Sequence, residues 1–351
     1  LKNRMHGFIL VAILWFLTIF SVALAYMANV MDRNFLIAIE SSDAFNARLD
    51  QYSSEETLLY LLATRERSFK GLRVNEYVKE RGRQSPFLSD SFEPLGPSID
   101  FDGTVYRGNG LCKFSVQDSS SLVSLKSKDL LELKKILISV GQSKAKSEEL
   151  INRLIDYTDR DDDILVRGAE KRSYEKTSRD LFPRNRFLSN PGELRNIFGW
   201  EKFMDEFARS PLYDELSIHI GDQLNFNTMP TARLSRVFDD DALVSKITSV
   251  REDAFFSSRK DLRRSIGAVE TNQLSRLAFL PSNYMIVKLD CEGFLPVLQI
   301  GVTMTPRSTV GPWEIDYRLM LPRGYGNAKI DDPAAEKIEP ASIPRHAIFS
   351  N

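Results

Sequence analysis

The stretch from Asp156 to Glu170 reads DYTDRDDDILVRGAE and places Asp156, Asp159, Asp161, Asp162 and Asp163 within eight positions, with Glu170 following Gly168. Folding such a loop aims several carboxylates at one point, and hard oxygen ligands of this kind suit calcium better than a transition metal. The alternation of Asp159, Asp161 and Asp163 resembles the start of an EF-hand loop, but the glycine and the closing Glu are not at that loop's offsets. The plain alternative is a solvated acidic loop capping the next helix. Mutual repulsion of so many carboxylates favours a cation, which would relieve it.

Other chemistry is sparse. The three histidines, His6, His219 and His346, form no sequence cluster, and no Gly-rich phosphate loop or nucleophile elbow is present. His219 lies in the alternating LSIHIG and reads as a strand-face residue. An enzyme is not expected. Cys112 and Cys291 allow one disulfide in an oxidising compartment, but sequence separation does not say whether they meet.

The acidic loop must be held by its flanks. Asp129 to Val140 and Ser147 to Thr158 space Leu and Ile as helices do, with Gly141 closing the first and Ser147 capping the second. Residues 83–110 are punctuated by Pro and Gly and read as loop with one strand at Thr104 to Tyr106. Leu111 to Gln117 alternates as a strand, and Tyr284 to Asp290, Phe294 to Thr303 and Glu314 to Met320 read as three more. The order is long helix, strand, helical block, antiparallel meander: an α+β chain with the helical block inserted.

The long helix is the strongest signal. Phe8 to Met31 carries no charge over 31 − 8 + 1 = 24 residues, enough at ~1.5 Å per residue to cross a bilayer. Lys2, Arg4 and His6 precede it, which places the N-terminus in the cytoplasm and the bulk outside. An uncleaved anchor suits this length better than a signal peptide. Phe35, Ile39, Phe45, Leu49, Leu58, Leu59 and Leu62 continue at helical spacing, so one helix is expected from near Phe8 to about Phe69, stopped by Gly71 and laying this stripe on a globular domain. The whole chain, 351 residues at 42% hydrophobic and net charge −1, can bury a real core and offers no general attraction to nucleic acid.

The helical block echoes itself. Phe187, Ser189, Glu193, Leu194 and Gly199 are matched by Phe256, Ser258, Asp261, Leu262 and Gly267, which implies two related units of helix-hairpin-helix or sterile-alpha-motif type. A membrane-anchored helix-hairpin-helix DNA-binding or uptake protein is therefore the alternative. Its phosphate contacts need backbone amides supported by Lys or Arg, whereas the second unit's turn reads FDDDA from Phe238 to Ala242. No nucleic acid is expected.

Several motifs carry a family resemblance. Gly7-Phe8-Ile9-Leu10 looks like the junction of a prepilin leader, and VQDSSSL, IDYTDRDDD, GAEKRSYE, PRNRF and GELRNIFGW are similar to the minor pseudopilins called general secretion pathway protein K, of bacterial type II secretion. So are LNFNTMPTARL, REDAFFSSRKDL and PSNYMIV in the second unit. Most pilin-like proteins have Glu at the fifth mature position; Ala12 stands there, as is typical of protein K. The VQDSSSLVSL segment departs from the family's Asp-Glu-x-Gly and asparagines, which Asn225 and Asn227 retain in the second unit.

The resemblance implies an α+β fold: a pilin-like long N-terminal helix with an antiparallel β-sheet, interrupted by a large inserted α-helical domain of two helix-hairpin-helix or SAM-like units. Its expected divisions are a leader at 1–7, the membrane part of the helix at 8–31, the rest of the helix and first part of the pilin-like domain at 32–117, the insertion at 118–280, the β-meander at 281–324 and a tail at 325–351. Implied too are cleavage by prepilin peptidase between Gly7 and Phe8, methylation of the new Phe8 amine, and an assembly helix beginning Phe8 with Ala12. Further implications are calcium on Asp159, Asp161, Asp162 and Glu170, and I- and J-type minor pseudopilins and the major pseudopilin as partners. The expected place is the inner membrane, single-pass with a periplasmic bulk, and after assembly the tip of the pseudopilus, where the protein would initiate assembly and support export of folded proteins.

Overall fold

The computed structural model describes residues 6–74, 98–127, 129–176, 181–219, 223–238, 240–267, 276–291 and 296–322; side chains are described from Leu10 onward. The expected leader and the C-terminal tail fall largely or wholly outside these residues.

Helix α1 spans His6–Thr64, about 88 Å at 1.5 Å per residue. It is long and apolar enough to cross a membrane. It ends five residues before the expected Phe69, and Gly71 is no helix stop. Gly71 opens strand β1 (Gly71–Arg73), which pairs with β2 (Ser98–Asp100) so closely that a Cβ on Gly71 would sit 2.0 Å from the Ile99 carbonyl oxygen. The apolar stripe also divides. Leu58, Leu59, Leu61 and Leu62 are buried, while Phe35, Ile39, Phe45 and Leu49 are exposed.

The buried end of α1 lies on a five-stranded antiparallel sheet ordered β11-β10-β9-β4-β3, formed by β3 (Asp102–Arg107), β4 (Cys112–Asp118), β9 (Tyr284–Cys291), β10 (Val297–Met304) and β11 (Trp313–Leu321). Alternation fixes its faces: Phe114, Val116, Leu289, Val287, Leu298, Ile300 and Val302 form one core with the α1 leucines. Cys112 faces Cys291 across β4 and β9 and the two form a disulfide. Exposed Leu111, expected to open β4, lies just outside it.

A bulge in β11 changes which face its side chains meet. Val302 pairs with Ile315 but Gly301 pairs with Tyr317, leaving Asp316 as the extra residue. Trp313 and Ile315 therefore pack toward α1, whereas Tyr317, Leu319 and Leu321 join a second core on the opposite face. Tyr317 covers Gly301, where a Cβ would lie 2.2 Å from its ring.

Between neighbouring strands β4 and β9 the chain leaves the sheet and builds two helical units. The first contains α2 (Leu131–Ser139), α3 (Lys144–Thr158), α4 (Lys171–Tyr174) and α5 (Glu201–Phe207), and β5 (Val123–Ser124) and β6 (Leu216–Ser217) pair in parallel at its two ends. The second contains α6 (Thr231–Phe238), α7 (Asp241–Asp253) and α8 (Arg259–Ile266), closed likewise by β7 (Leu224–Asn225) and β8 (Leu277–Ala278). Each has its own core, around Trp200 and Tyr157 in the first and Phe226 and Phe256 in the second.

Asp118, fully buried at the end of β4, ties the exit and return of this excursion together. Its Oδ1 accepts from the Ser120 amide and hydroxyl and from the Ser282 hydroxyl (2.7 Å), and its Oδ2 from Thr228 (3.1 Å). The second unit is further anchored by Gln117 Nε2 on the Thr228 carbonyl (3.0 Å) and Lys70 Nζ on the Arg251 carbonyl (2.6 Å).

The internal repeat is present at a corrected register. Asn190 and Ser258 both cap a helical turn, accepting from Glu193 N and Asp261 N; those acidic side chains reach back to Ser189 N and Ser257 N. Each pair is 68 positions apart (258 − 190, 261 − 193), as are the positive-φ glycines Gly199 and Gly267. Ser189 thus corresponds to Ser257, not Ser258. Buried Leu188 takes the place of buried Phe256, while Phe187 is exposed.

Candidate calcium centre

The acidic loop leaves the C-terminus of α3. That helix begins one turn earlier than expected: Ser143, not Ser147, is its cap, accepting from Lys146 N at 3.2 Å, and Ser147 Oγ donates back to the Ser143 carbonyl. Gly141, at φ +90°, closes α2 as expected, with Gln142 N bonded to the Leu137 carbonyl. The helix presents Ile151, Leu154 and Tyr157 to the core and brings Asp156, on its last turn, to the loop's centre.

Asp156 is fully buried and collects the returning chain: its Oδ2 accepts from Ala169 N at 2.8 Å and both oxygens from Leu165 N at 3.3 Å. Gly168 makes this possible, because a Cβ there would lie 1.9 Å from Asp156 Oδ2. Asn152 Nδ2 on the Val166 carbonyl (2.8 Å) and Arg153 Nε on the Arg167 carbonyl (3.3 Å) fasten the far side to α3.

Two of the expected ligands converge inside this frame. Glu170 is 4% exposed, and neither of its carboxylate oxygens has a hydrogen-bond partner; buried Asp159 Oδ1 has none either. Glu170 stands at the N-cap of α4, yet its side chain caps nothing. Burial, then the charges of Asp156, Asp159 and Asp162, push the Glu170 carboxyl up to about 7. Burial and then Asp161 and Asp156 push Asp159 up to about 6. Asp161 and Asp162 are exposed, and Asp161 Oδ1 accepts from Asp163 N at 3.1 Å in an Asx turn. Among the described residues no three acidic, His or Cys side chains already stand together as a complete metal site. The donor set nevertheless fits a hard cation: orphaned carboxylate oxygens that would otherwise have to bind protons.

The reading from sequence counted Asp156 in the acidic crowd but not as the residue that organises it. The signal was there, since Asp156 falls inside the expected helix and stands four after Asn152 and three after Arg153, the two residues that fasten the loop to α3, and so belongs to the helix and not to the loop. Elsewhere, His219 lies beyond β6 and not on a strand face. It is buried against Tyr284, with Nε2 2.9 Å from Asp316 and Nδ1 2.8 Å from Ser119 Oγ. The array joins the first unit to the bulge of β11; Ser119 is itself buried, so this is a structural tie. In the second unit, Asp240 Oδ1 accepts from Ala242 N and Leu243 N, occupying the helix-start amides that a phosphate would need.

On the assembly helix, Ala12 is exposed on α1; the side chain of Phe8 lies outside the described residues, as does the peptidase junction beyond its helical backbone at Gly7.

Residues 114–204, from β4 into α5 and including the whole acidic loop, match the family described as Type II secretion system (T2SS), protein K. A chain of the GspK-GspI-GspJ complex from the enterotoxigenic Escherichia coli type 2 secretion system has a similar fold, with a TM-score of 0.51 and 15% identity over 80% of this chain and 98% of that one. The family match makes residues 114–204 similar to protein K of type II secretion systems, and the structural match shows a shared fold. No curated protein matches the chain at a significant level. The stretch matched to protein K therefore contains the first helical unit with its acidic loop, and the fold similarity extends to the α+β whole: long helix, antiparallel sheet and added helices.

Proposed function

We propose that the chain is a minor pseudopilin of protein K type that caps the pseudopilus of a type II secretion system and initiates its assembly. The observation that carries this is the exposed apolar surface of α1 beyond the uncharged run, at Phe35, Ile39, Phe45 and Leu49. Lipid can cover Phe8 to Met31, but charged Asp32, Arg33, Glu40 and Asp43 accompany the later residues, so neighbouring helices are the natural cover. I- and J-type minor pseudopilins, named as partners in the complex of similar fold, would supply them, and the major pseudopilin would follow below. The inserted helical units would then widen the end opposite the membrane helix. Ala12, in place of the Glu that pairs with a neighbour's N-terminal amine, suits a subunit with nothing above it.

In this reading prepilin peptidase cuts after Gly7 at the cytoplasmic face, the Phe8 amine is methylated, and the periplasmic body supports export. Calcium would be held by Asp159 and Glu170 with Asp161 and Asp162. It would supply charge neutralisation and crosslink the loop to α4, a structural task and not a reaction. The test is co-expression with I- and J-type partners. A stable heteromeric complex is expected, with Gly7→Ala blocking N-terminal processing by mass analysis. Self-assembly into a homopolymer, or processing unchanged in the variant, would count against it.

A further inference from the structure

The two helical units meet at a seam that has chemistry of its own. Asp129 just before α2 and Glu132 and Lys135 on it face Arg233 and Arg236 of α6 and Arg276 before β8, around a cavity of about 70 Å³. Such a space has room for several waters or one small oxyanion. Four cationic side chains line it against two carboxylates. Arg233, 3% exposed, forks onto Glu132 through Nε (2.9 Å) and Nη2 (3.2 Å), but its Nη1 is buried with no hydrogen-bond partner among the described residues. Arg236 is paired with Glu215, and burial lowers its pKa while Glu132 raises it. Lys135, exposed at the mouth, reaches the Arg236 carbonyl at 3.2 Å.

A buried guanidinium nitrogen without an acceptor is costly, and a planar guanidinium suits an oxyanion better than water does. We propose that this seam binds a small oxyanion, a phosphate or a carboxylate, on Arg233 Nη1 with Lys135 at the entrance, and that its occupancy braces the two units against each other. Nothing in pseudopilus assembly requires this site, so it stands or falls separately.

The test is calorimetric titration of the full chain in detergent with sodium phosphate and, separately, sodium acetate, each at ionic strength matched with sodium chloride. Saturable one-to-one binding is expected, with a rise in unfolding temperature. At ten times the dissociation constant the folding equilibrium shifts about elevenfold. Lys135→Gln should weaken binding roughly threefold to tenfold, as loss of one partly screened charge does. Arg233→Gln combined with Glu132→Gln, which leaves no stranded carboxylate, should abolish it while circular dichroism stays unchanged. If the paired variant does not fold, Lys135→Gln carries the test alone. Saturation by phosphate only identifies a phosphate site, and saturation by both anions a carboxylate-accepting one. Saturation by neither, or binding unaltered in these variants, overturns the proposal.

Discussion

Glu170 and Asp159 are carboxylates whose folded-state environment prefers the proton. Because the Glu170 pKa rises from an ordinary 4.5 to about 7, the metal-free folded state binds more protons than the unfolded chain between those values. Stability of the metal-free protein from this group must therefore fall as pH rises from about 4.5 to about 7, and Asp159 acts in the same direction from 3.8 to about 6. Calcium bound by these carboxylates would reverse the sign, since protons would then compete with the ion. The expected result is that Glu170→Gln melts with the parent chain near pH 4, melts above it near pH 7 without calcium, and loses the gain that millimolar calcium gives the parent. A parent chain whose melting temperature ignores calcium at pH 7.5 would refute the centre. Gly168→Ala should cost about 1–3 kcal/mol, because the added Cβ displaces the buried Asp156 carboxylate from its amides, with a matching fall in melting temperature. The crowd of carboxylates was readable from residue types. The end of α3 at Thr158 was legible too and puts Asp156 on the helix; that the amides of Leu165 and Ala169 return to it was not, because this depends on the path of the loop.

Among the elements, the strands show how far a sequence pattern reaches. Alternation located β9, β4 and β11 to within a residue or two, but it could not reveal that β11 changes face at Asp316, since a bulge is defined only against the partner strand. Gly301 is the partner's share of that feature. Gly301→Ala should push Tyr317 from the first unit's core and cost about 1–3 kcal/mol, read by denaturant unfolding. The stripe on α1 reads as one surface in sequence and divides in the structure because only the last turns reach the sheet. The repeat was visible as spacing, but its one-residue offset at Phe187 needed burial to correct, since two adjacent Phe, Phe255 and Phe256, compete for the match.

At the scale of the molecule, the disulfide closes a loop of 179 residues between paired strands. In the chain-entropy account such a closure is worth up to about 5 kcal/mol. Reduction, or Cys112→Ser with Cys291→Ser, should accordingly lower the unfolding midpoint substantially while leaving in place the calcium response expected of the acidic loop; loss of both together would show that the first unit does not fold around its own core. The pairing itself was not legible, because it follows from register and not from spacing.

The Asp118 tie and the Cys112–Cys291 bridge sit at opposite ends of the same strand pair. A tug on the helical head must unzip β4 from β9 one hydrogen bond at a time, beginning at Asp118, and the tear stops where the sulfurs are joined. The head can be wrenched in its seat, but it stays stitched to the sheet beneath it.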